Sequence, residues 1–237
     1  MTQLICRNLK LGFDYKTVAE NINFTVNKGD FLCILGENGS GKTTLIKTIL
    51  GLISPLDGSV EFDKSFEKIK IGYLPQQTAV QKDFPASVFE IVLSGLLNTK
   101  GVLPFYNKKD KQKALKALER LNVAELKNKP YRELSGGQQQ RVLLARAIVA
   151  QNEMLILDEP AASLDPKATK ELYELLEKLN REEKITVIMI SHNIESAVSY
   201  ATHILHIGYT QLFFGDVHCY LKSEAGEMFC PNCKGAL

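Results

Sequence analysis

No apolar run in this 237-residue chain approaches the roughly 20 residues of a membrane-spanning helix. The opening residues, Met1 to Arg7, lack the charged-then-apolar order of a secretory signal, so a cytosolic product is expected. Cysteine is sparse and odd in number, five in all, which argues against a disulfide framework and, in a reducing compartment, for free thiols. Charge of one sign does not dominate, and a net +2 points neither toward nor away from nucleic acid. A hydrophobic fraction of 45% and a charged fraction of 24% are ordinary for a globular protein, and the length suits one large domain or a core with a subdomain.

What is present is organised around Gly36-Glu37-Asn38-Gly39-Ser40-Gly41-Lys42-Thr43, with Thr44 beside it. The stretch follows the apolar run Phe31 to Leu35, which reads as a buried strand, and precedes Thr44 to Leu50, which reads as a helix. Strand, glycine loop and helix form the context that a phosphate-binding loop requires. Glycines let successive N–H groups curl inward as an anion nest, and the helix N-terminus adds partial positive charge. Lys42 can then reach the β- and γ-phosphates, and the Thr43 hydroxyl is placed to ligate Mg²⁺. A glycine-rich turn matching by chance is the competing reading; agreement of pattern and flanks disfavours it. A bound nucleoside triphosphate is expected.

Residues 4 to 35 read as a β region, with Ile22, Phe24 and Val26 alternating with polar residues. Phe13 and Tyr15 are aromatics near a sheet edge, where one can stack on an adenine ring or simply pack. Short strands are expected over residues 58–62 and 69–73. From about Pro75 to Glu133 strand signals vanish. Ser87, with Glu90 in the capping-box position, starts a helix through Gly95. Asn107 leads into a helix whose Ala114, Leu118 and Leu121 share a face. The lysines at 108, 109, 111, 113, 116, 127 and 129 read as a solvated face, since no aromatic ladder accompanies them. Asn107 to Asp110 also spells a guanine-reading tetrad. With Pro104 where its strand would run and no D-x-x-G sequence in the chain, the match is read as chance.

Leu134-Ser135-Gly136-Gly137-Gln138 opens a helix through Ala150, either a second anion site or an ordinary capped start. Met154 to Leu157 is a buried strand ending in Asp158 and Glu159. There Asp158 can hold Mg²⁺ through water, and Glu159 can take a proton from attacking water. Ala168, Leu172, Leu175, Leu176 and Leu179 mark an amphipathic helix, and Ile185 to Ile190 the next buried strand. His192, at that strand's end, is read as a γ-phosphate contact rather than a structural histidine, because ligands of open α/β sheets bind at that edge. After two short strands over 203–215 the chain is expected to fray into a polar tail. Its Cys230-Pro231-Asn232-Cys233 has the spacing of half a zinc site, with His218 and Cys219 or a second tail completing it, or else is a disordered pair of thiols.

Together these motifs resemble the ATP-binding subunit of ABC transporters, across residues 1 to about 222. The resemblance implies an α/β fold: a P-loop NTPase core with parallel sheet, an N-terminal antiparallel β region and a helical subdomain inserted at about 76–150, with residues 223–237 as a polar tail. It makes residues 36–43 the Walker A loop, Leu155 to Asp158 the end of Walker B and Glu159 the catalytic base. Leu134 to Gln138 looks like the signature motif, and Gln76 rather than Gln77 like the Q-loop glutamine that senses Mg²⁺ and water. Ser163-Leu164-Asp165 resembles the D-loop and His192 the switch histidine. Phe13, by its spacing to Val18, is similar to the adenine-stacking aromatic. ATP and Mg²⁺ are the implied cofactors.

In such proteins two chains pair head to tail, so that Ser135 and Gly137 of one cap the ATP of the other. The implied partners are a second ATPase subunit, membrane permease subunits docked near Phe84, Phe89, Phe105 and Tyr106, and through them a substrate-binding protein. Nucleic acid is not among them. The expected location is the cytoplasmic face of the membrane. Phe84 to Val92 resembles the segment after the Q-loop in zinc and manganese importer ATPases. Importers of siderophores or cofactors share the layout, and a soluble ABC ATPase acting on nucleic acid or ribosomes is the reading from another class. The latter usually carries a coiled-coil insertion or a second ATPase domain, neither of which this sequence shows.

Overall fold

The computed structural model describes residues 1–13, 16–63, 71–76, 84–97, 105–150 and 153–231. Tyr15, residues 69–70, Gln77, Pro104 and Cys233, all named above, lie outside them. The chain divides into two compact units, Met1–Lys68 with Asn180–Leu237, and Ile69–Leu179.

In the first unit, β1 (Thr2–Phe13) pairs antiparallel with β2 (Lys16–Asn27) on one side and β4 (Asp57–Phe62) on the other. On β2, Ile22, Phe24 and Val26 are buried while Asn21, Asn23 and Thr25 are exposed, so alternation in the sequence becomes one face against a core. β3 (Phe31–Leu35) behaves differently, because all five residues are buried. It runs parallel between β7 (Thr186–Ile190) and β8 (His203–Ile207), and β9 (Gln211–Asp216) returns antiparallel on β8. Strands covered on both faces need no polar side, which explains the unbroken apolar runs. Ile34 is in register with Ile190, and the Ser191 amide donates to the Ile34 carbonyl at 3.2 Å. The glycine loop after β3 and the Ser191-His192 turn after β7 therefore leave the sheet at the same edge. α1 (Lys42–Ile49) follows the glycine loop.

In the second unit, β5 (Ile71–Leu74) lies parallel to β6 (Met154–Asp158), with Leu74 beside Leu157. The intervening chain supplies α2 (Val88–Ser94), α3 (Lys108–Arg120) and α4 (Gly136–Ile148), which pack on one another. The expected capping box of Ser87 with Glu90 starts α2, and the helix expected after Asn107 starts on a further box, Asn107 with Asp110. Ala114, Leu118 and Leu121 are fully buried, while the lysines from 108 to 129 named above are exposed, the division a solvated helix face requires. This unit is wider than the 76–150 insertion expected from sequence, because it includes β5, β6 and the first part of α5 (Pro166–Glu183).

The C-terminal region corrects the expectation of a fraying tail. After α6 (Ile194–Tyr200) and the β8–β9 hairpin come α7 (Val217–Leu221), capped by Asp216, and α8 (Glu224–Phe229), capped by Ser223. Tyr220 is fully buried and Cys230 is 5% exposed. Residues that read as tail polarity are cap residues at helix starts, and one buried tyrosine anchors the pair.

Candidate active site

The glycine loop is shaped by close contact. Gly36 has φ +148°, and a Cβ there would stand 2.2 Å from the Ile207 carbonyl oxygen on neighbouring β8. Gly41, the residue before α1, sits at φ +91° in the left-handed region that favours glycine. No side chain caps α1, and its first turn holds no acidic residue. Gly41 at its N-cap thus offers the first N–H groups no side-chain acceptor. Lys42 is buried, and its ammonium donates to the carbonyls of Gly36 (2.8 Å) and Glu37 (2.7 Å), which holds the cation over the loop. The Ser40 hydroxyl is buried with no hydrogen-bond partner among the described residues. A buried unpaired hydroxyl is costly, and one two residues from Lys42 suits an anionic ligand. Glu37, Asn38 and Gly39 are exposed at the loop's tip, Thr43 is half-buried, and Thr44 lies in the buried face of α1. Phe13, the last residue of β1, is 47% exposed, leaving ring surface available for stacking.

Beneath the loop lies a group that sequence reasoning passed over. His206 is buried on β8, in register with Leu35, and its Nδ1 is 3.0 Å from the Tyr220 hydroxyl. Burial, and secondarily the Lys42 charge, lowers its pKa to about 4, so it is a neutral imidazole supporting the strand beside the loop. Burial likewise pushes the Tyr220 phenol up to about 12. The signal in the sequence was a histidine inside an otherwise apolar strand.

In the second unit, β6 carries Asp158 to its end at 2% exposure, and Glu159 follows at φ +51°. A left-handed glutamate is uncommon, and such strained residues cluster at functional sites. The Gln76 Nε2 donates to a Glu159 carboxylate oxygen at 3.2 Å, because the β5–β6 pairing brings the exit of both strands together. The Tyr73 phenol on β5 has its pKa raised, first by burial and then by the nearby Asp158 charge.

The start of α4 is a capped helix and also a cleft wall. The Ser135 hydroxyl accepts from the Gln138 amide, and the Gln138 side chain accepts from the Ser135 amide. Ser135, Gly136, Gly137 and Gln138 line one cleft of about 420 Å³ with Ser163, Leu164 and Asp165. A Cβ on Gly137 would stand 3.1 Å from that of Ala168, so glycine there allows α4 and α5 to approach. Asp165 accepts from the Ala168 amide, a helix-start contact that the sequence had not assigned to it. Arg141 pairs with Glu171 across the same cleft. The capped helix start expected of the Ser-Gly-Gly stretch is present, and the same residues line a cleft.

His192 is exposed and lines a separate cleft with Phe229, Cys230 and Pro231. Cys230 is buried at that cleft, while Cys233, the other half of the expected zinc pair, lies outside the described residues. Among the described residues no group of three or more His, Cys, Asp or Glu could hold a metal ion. Nor is any described helix long and apolar enough to cross a membrane.

Comparison with known proteins follows the same lines. The ABC transporter family profile matches residues 19–162. The zinc uptake system ATP-binding protein ZurA of Listeria monocytogenes is 40% identical over 219 residues, covering 90% of this chain and 85% of that protein. The manganese transport system ATP-binding protein MntB of Bacillus subtilis is 35% identical over 211 residues, covering 88% and 84%. Among solved structures, a chain described as belonging to a metal-chelate type ABC transporter in an inward-facing conformation superposes with a TM-score of 0.87 at 32% identity, covering 97% of this chain and 89% of that one. An ATP-binding cassette in a dimeric post-hydrolysis state with ADP and Pi gives 0.75 at 26% identity, covering 90% and 98%. The chain belongs to the ABC transporter family, among its ATP-binding, ATP-hydrolysing subunits.

Proposed function

We propose that this chain drives import of a divalent metal ion, zinc or manganese, from the cytoplasmic face of a membrane, hydrolysing ATP as a head-to-tail dimer. The single observation that carries the catalytic part is Gln76 held against the carboxylate of a left-handed Glu159. A half-buried carboxylate fixed by an amide donor at a strand exit is positioned to accept a proton from water. The Lys42 ammonium offsets γ-phosphate charge, the Ser40 and Thr43 hydroxyls and loop amides hold phosphate oxygens, and the Phe13 ring stacks on the base. Mg²⁺, when bound, neutralises charge on the β- and γ-phosphates; Thr43, Gln76 and, through water, Asp158 would hold it. His192 contacts the γ-phosphate, and Ser135 and Gly137 of a second copy close over it, with Asp165 at the same face.

Metal import is supported by the names of the relatives, several of which are zinc or manganese systems. Docking to a permease is supported by an apolar groove of about 300 Å³ beside the exit of β5, lined by Leu74, Phe84, Ile91, Tyr131 and Leu143 with Glu90 and Arg146. Of the four aromatics the sequence nominated, Phe84 lines this groove at 57% exposure. Phe89, Phe105 and Tyr106 are not among its lining residues. An amphipathic helix of a membrane subunit, reached in turn by a substrate-binding protein, suits such a groove.

The test is elemental analysis of cells carrying Lys42→Ala under metal limitation. A selective fall in zinc or manganese is expected. Unchanged metal content would remove the metal assignment and leave the ATPase in place.

A further inference from the structure

The helices after β9 carry no phosphate-binding motif, yet they hold the strand that shapes the glycine loop. α7 and α8 meet at a tight corner. There the Tyr220 carbonyl accepts from the Ser223 amide at 3.0 Å and from the Ser223 hydroxyl at 2.7 Å. Gly226 is pressed on the same oxygen, where a Cβ would stand 2.0 Å away. The corner therefore fixes the backbone of Tyr220, whose side chain is fully buried. Its hydroxyl lies 3.0 Å from the His206 Nδ1, and the Phe229 ring, at the end of α8, lies 4.5 Å from the imidazole. Phe213, opposite His206 on β9, meets the Tyr220 ring edge-on at 5.3 Å.

From His206 the phosphate loop is one residue away. The Ile207 carbonyl oxygen would stand 2.2 Å from a Cβ on Gly36, so backbone lies against backbone with no flexible side chain between to absorb a shift of β8. The Gly36 carbonyl in turn accepts from the Lys42 ammonium at 2.8 Å. Histidine is a costly residue for this place, because Ile204, Leu205 and Ile207 around it are apolar and fully buried. One hydrogen bond only partly offsets the desolvation of an imidazole. What a paired polar group adds over a packed leucine is a single orientation.

We propose that His206 is a positioning residue for nucleotide binding: held by Tyr220 and Phe229, it keeps the Ile207 carbonyl against Gly36 and so fixes the Lys42 cradle for the triphosphate. The statement rests on the reading of Gly36–Thr43 as the phosphate site. It makes the C-terminal corner part of the nucleotide site without any of its residues touching ATP.

The full-length protein is assayed for equilibrium ATP binding, for KM and kcat of hydrolysis, and for Tm. Tyr220→Phe removes one hydroxyl and keeps the ring. It should weaken ATP binding and raise KM about fivefold, the factor of one typical net hydrogen bond, with kcat at saturating ATP unchanged. In a His206→Leu background, Tyr220→Phe should weaken binding no further, because the hydroxyl has no imidazole left to hold. Val26→Ala, a truncation of the buried face of β2, should lower Tm and leave KM as it was. A wild-type KM in Tyr220→Phe overturns the proposal. So does a full further loss of binding in the double variant, or a rise in KM in Val26→Ala that matches its fall in Tm. Lys42→Ala separates the two readings. Weak binding there with normal binding in Tyr220→Phe removes His206 alone, whereas wild-type affinity in Lys42→Ala removes the phosphate site and the proposal with it.

Discussion

The loops Gly36–Thr43 and Leu134–Gln138 both open a helix with glycines and hydroxyl side chains, yet they are built differently. At the first, no side chain caps α1 and, among the described residues, the Ser40 hydroxyl is buried without a partner. At the second, Ser135 and Gln138 satisfy each other in a closed capping box. The first loop thus leaves a buried hydroxyl unanswered among the described residues and is set against buried strands, which suits the phosphate site proposed above. The second is internally satisfied and lines an open cleft, so its glycines can close over a ligand held elsewhere without the helix start depending on that ligand. The head-to-tail dimer proposed above would bring one loop of each kind to each ATP.

The comparison can be broken most severely at Gly36. Gly36→Ala places a methyl about where the Ile207 carbonyl already stands, at 2.2 Å, and forces a non-glycine residue to φ +148°. A loss of about 2–4 kcal/mol in unfolding free energy is expected, together with loss of nucleotide binding. Wild-type stability and affinity in that variant would show that the loop is not shaped by its contact with β8. Ser135→Ala should act more mildly. Removing the cap costs about 1 kcal/mol, read as a lowered Tm, with ATP binding to the isolated chain unchanged and turnover of the dimer reduced. Equal loss of binding in the monomer would place Ser135 beside its own chain's ATP instead.

A third test, of pH dependence, lies in the support under the first loop. His206 titrates at about 4 when folded, below the ordinary histidine value of 6.5. The unfolded chain therefore binds the extra proton first, and stability present above pH 6.5 is lost progressively as pH falls toward 4. His206→Gln should flatten that part of the curve of Tm against pH. An unchanged slope would mean another group carries the acid response.

Much of this was legible in the sequence because the physics is local. Capping boxes at Ser87 and Asn107, alternation on β2 and unbroken apolar runs at β3, β6 and β7 follow from neighbours a few residues apart. The glycine loop was legible for the same reason. The Gln76–Glu159 contact joins residues 83 positions apart through a strand pairing, so no spacing rule reaches it, and only the family resemblance pointed there. The left-handed backbone of Glu159 and the buried His206–Tyr220 pair are likewise tertiary consequences. The C-terminal helices were misread because Asp216 and Ser223 look the same as solvent-facing residues and as helix caps. What separates the two readings is Tyr220, whose burial the local sequence does not announce.

The account turns on Glu159, and the most direct measurement is ATP hydrolysis and assembly state of Glu159→Gln. Retained ATP binding, an ATP-induced dimer in solution and turnover lowered by about 10²–10³-fold are expected, since the amide keeps the Gln76 contact but cannot take a proton. Turnover at the wild-type rate in that variant would contradict the account and require the proton acceptor to lie elsewhere.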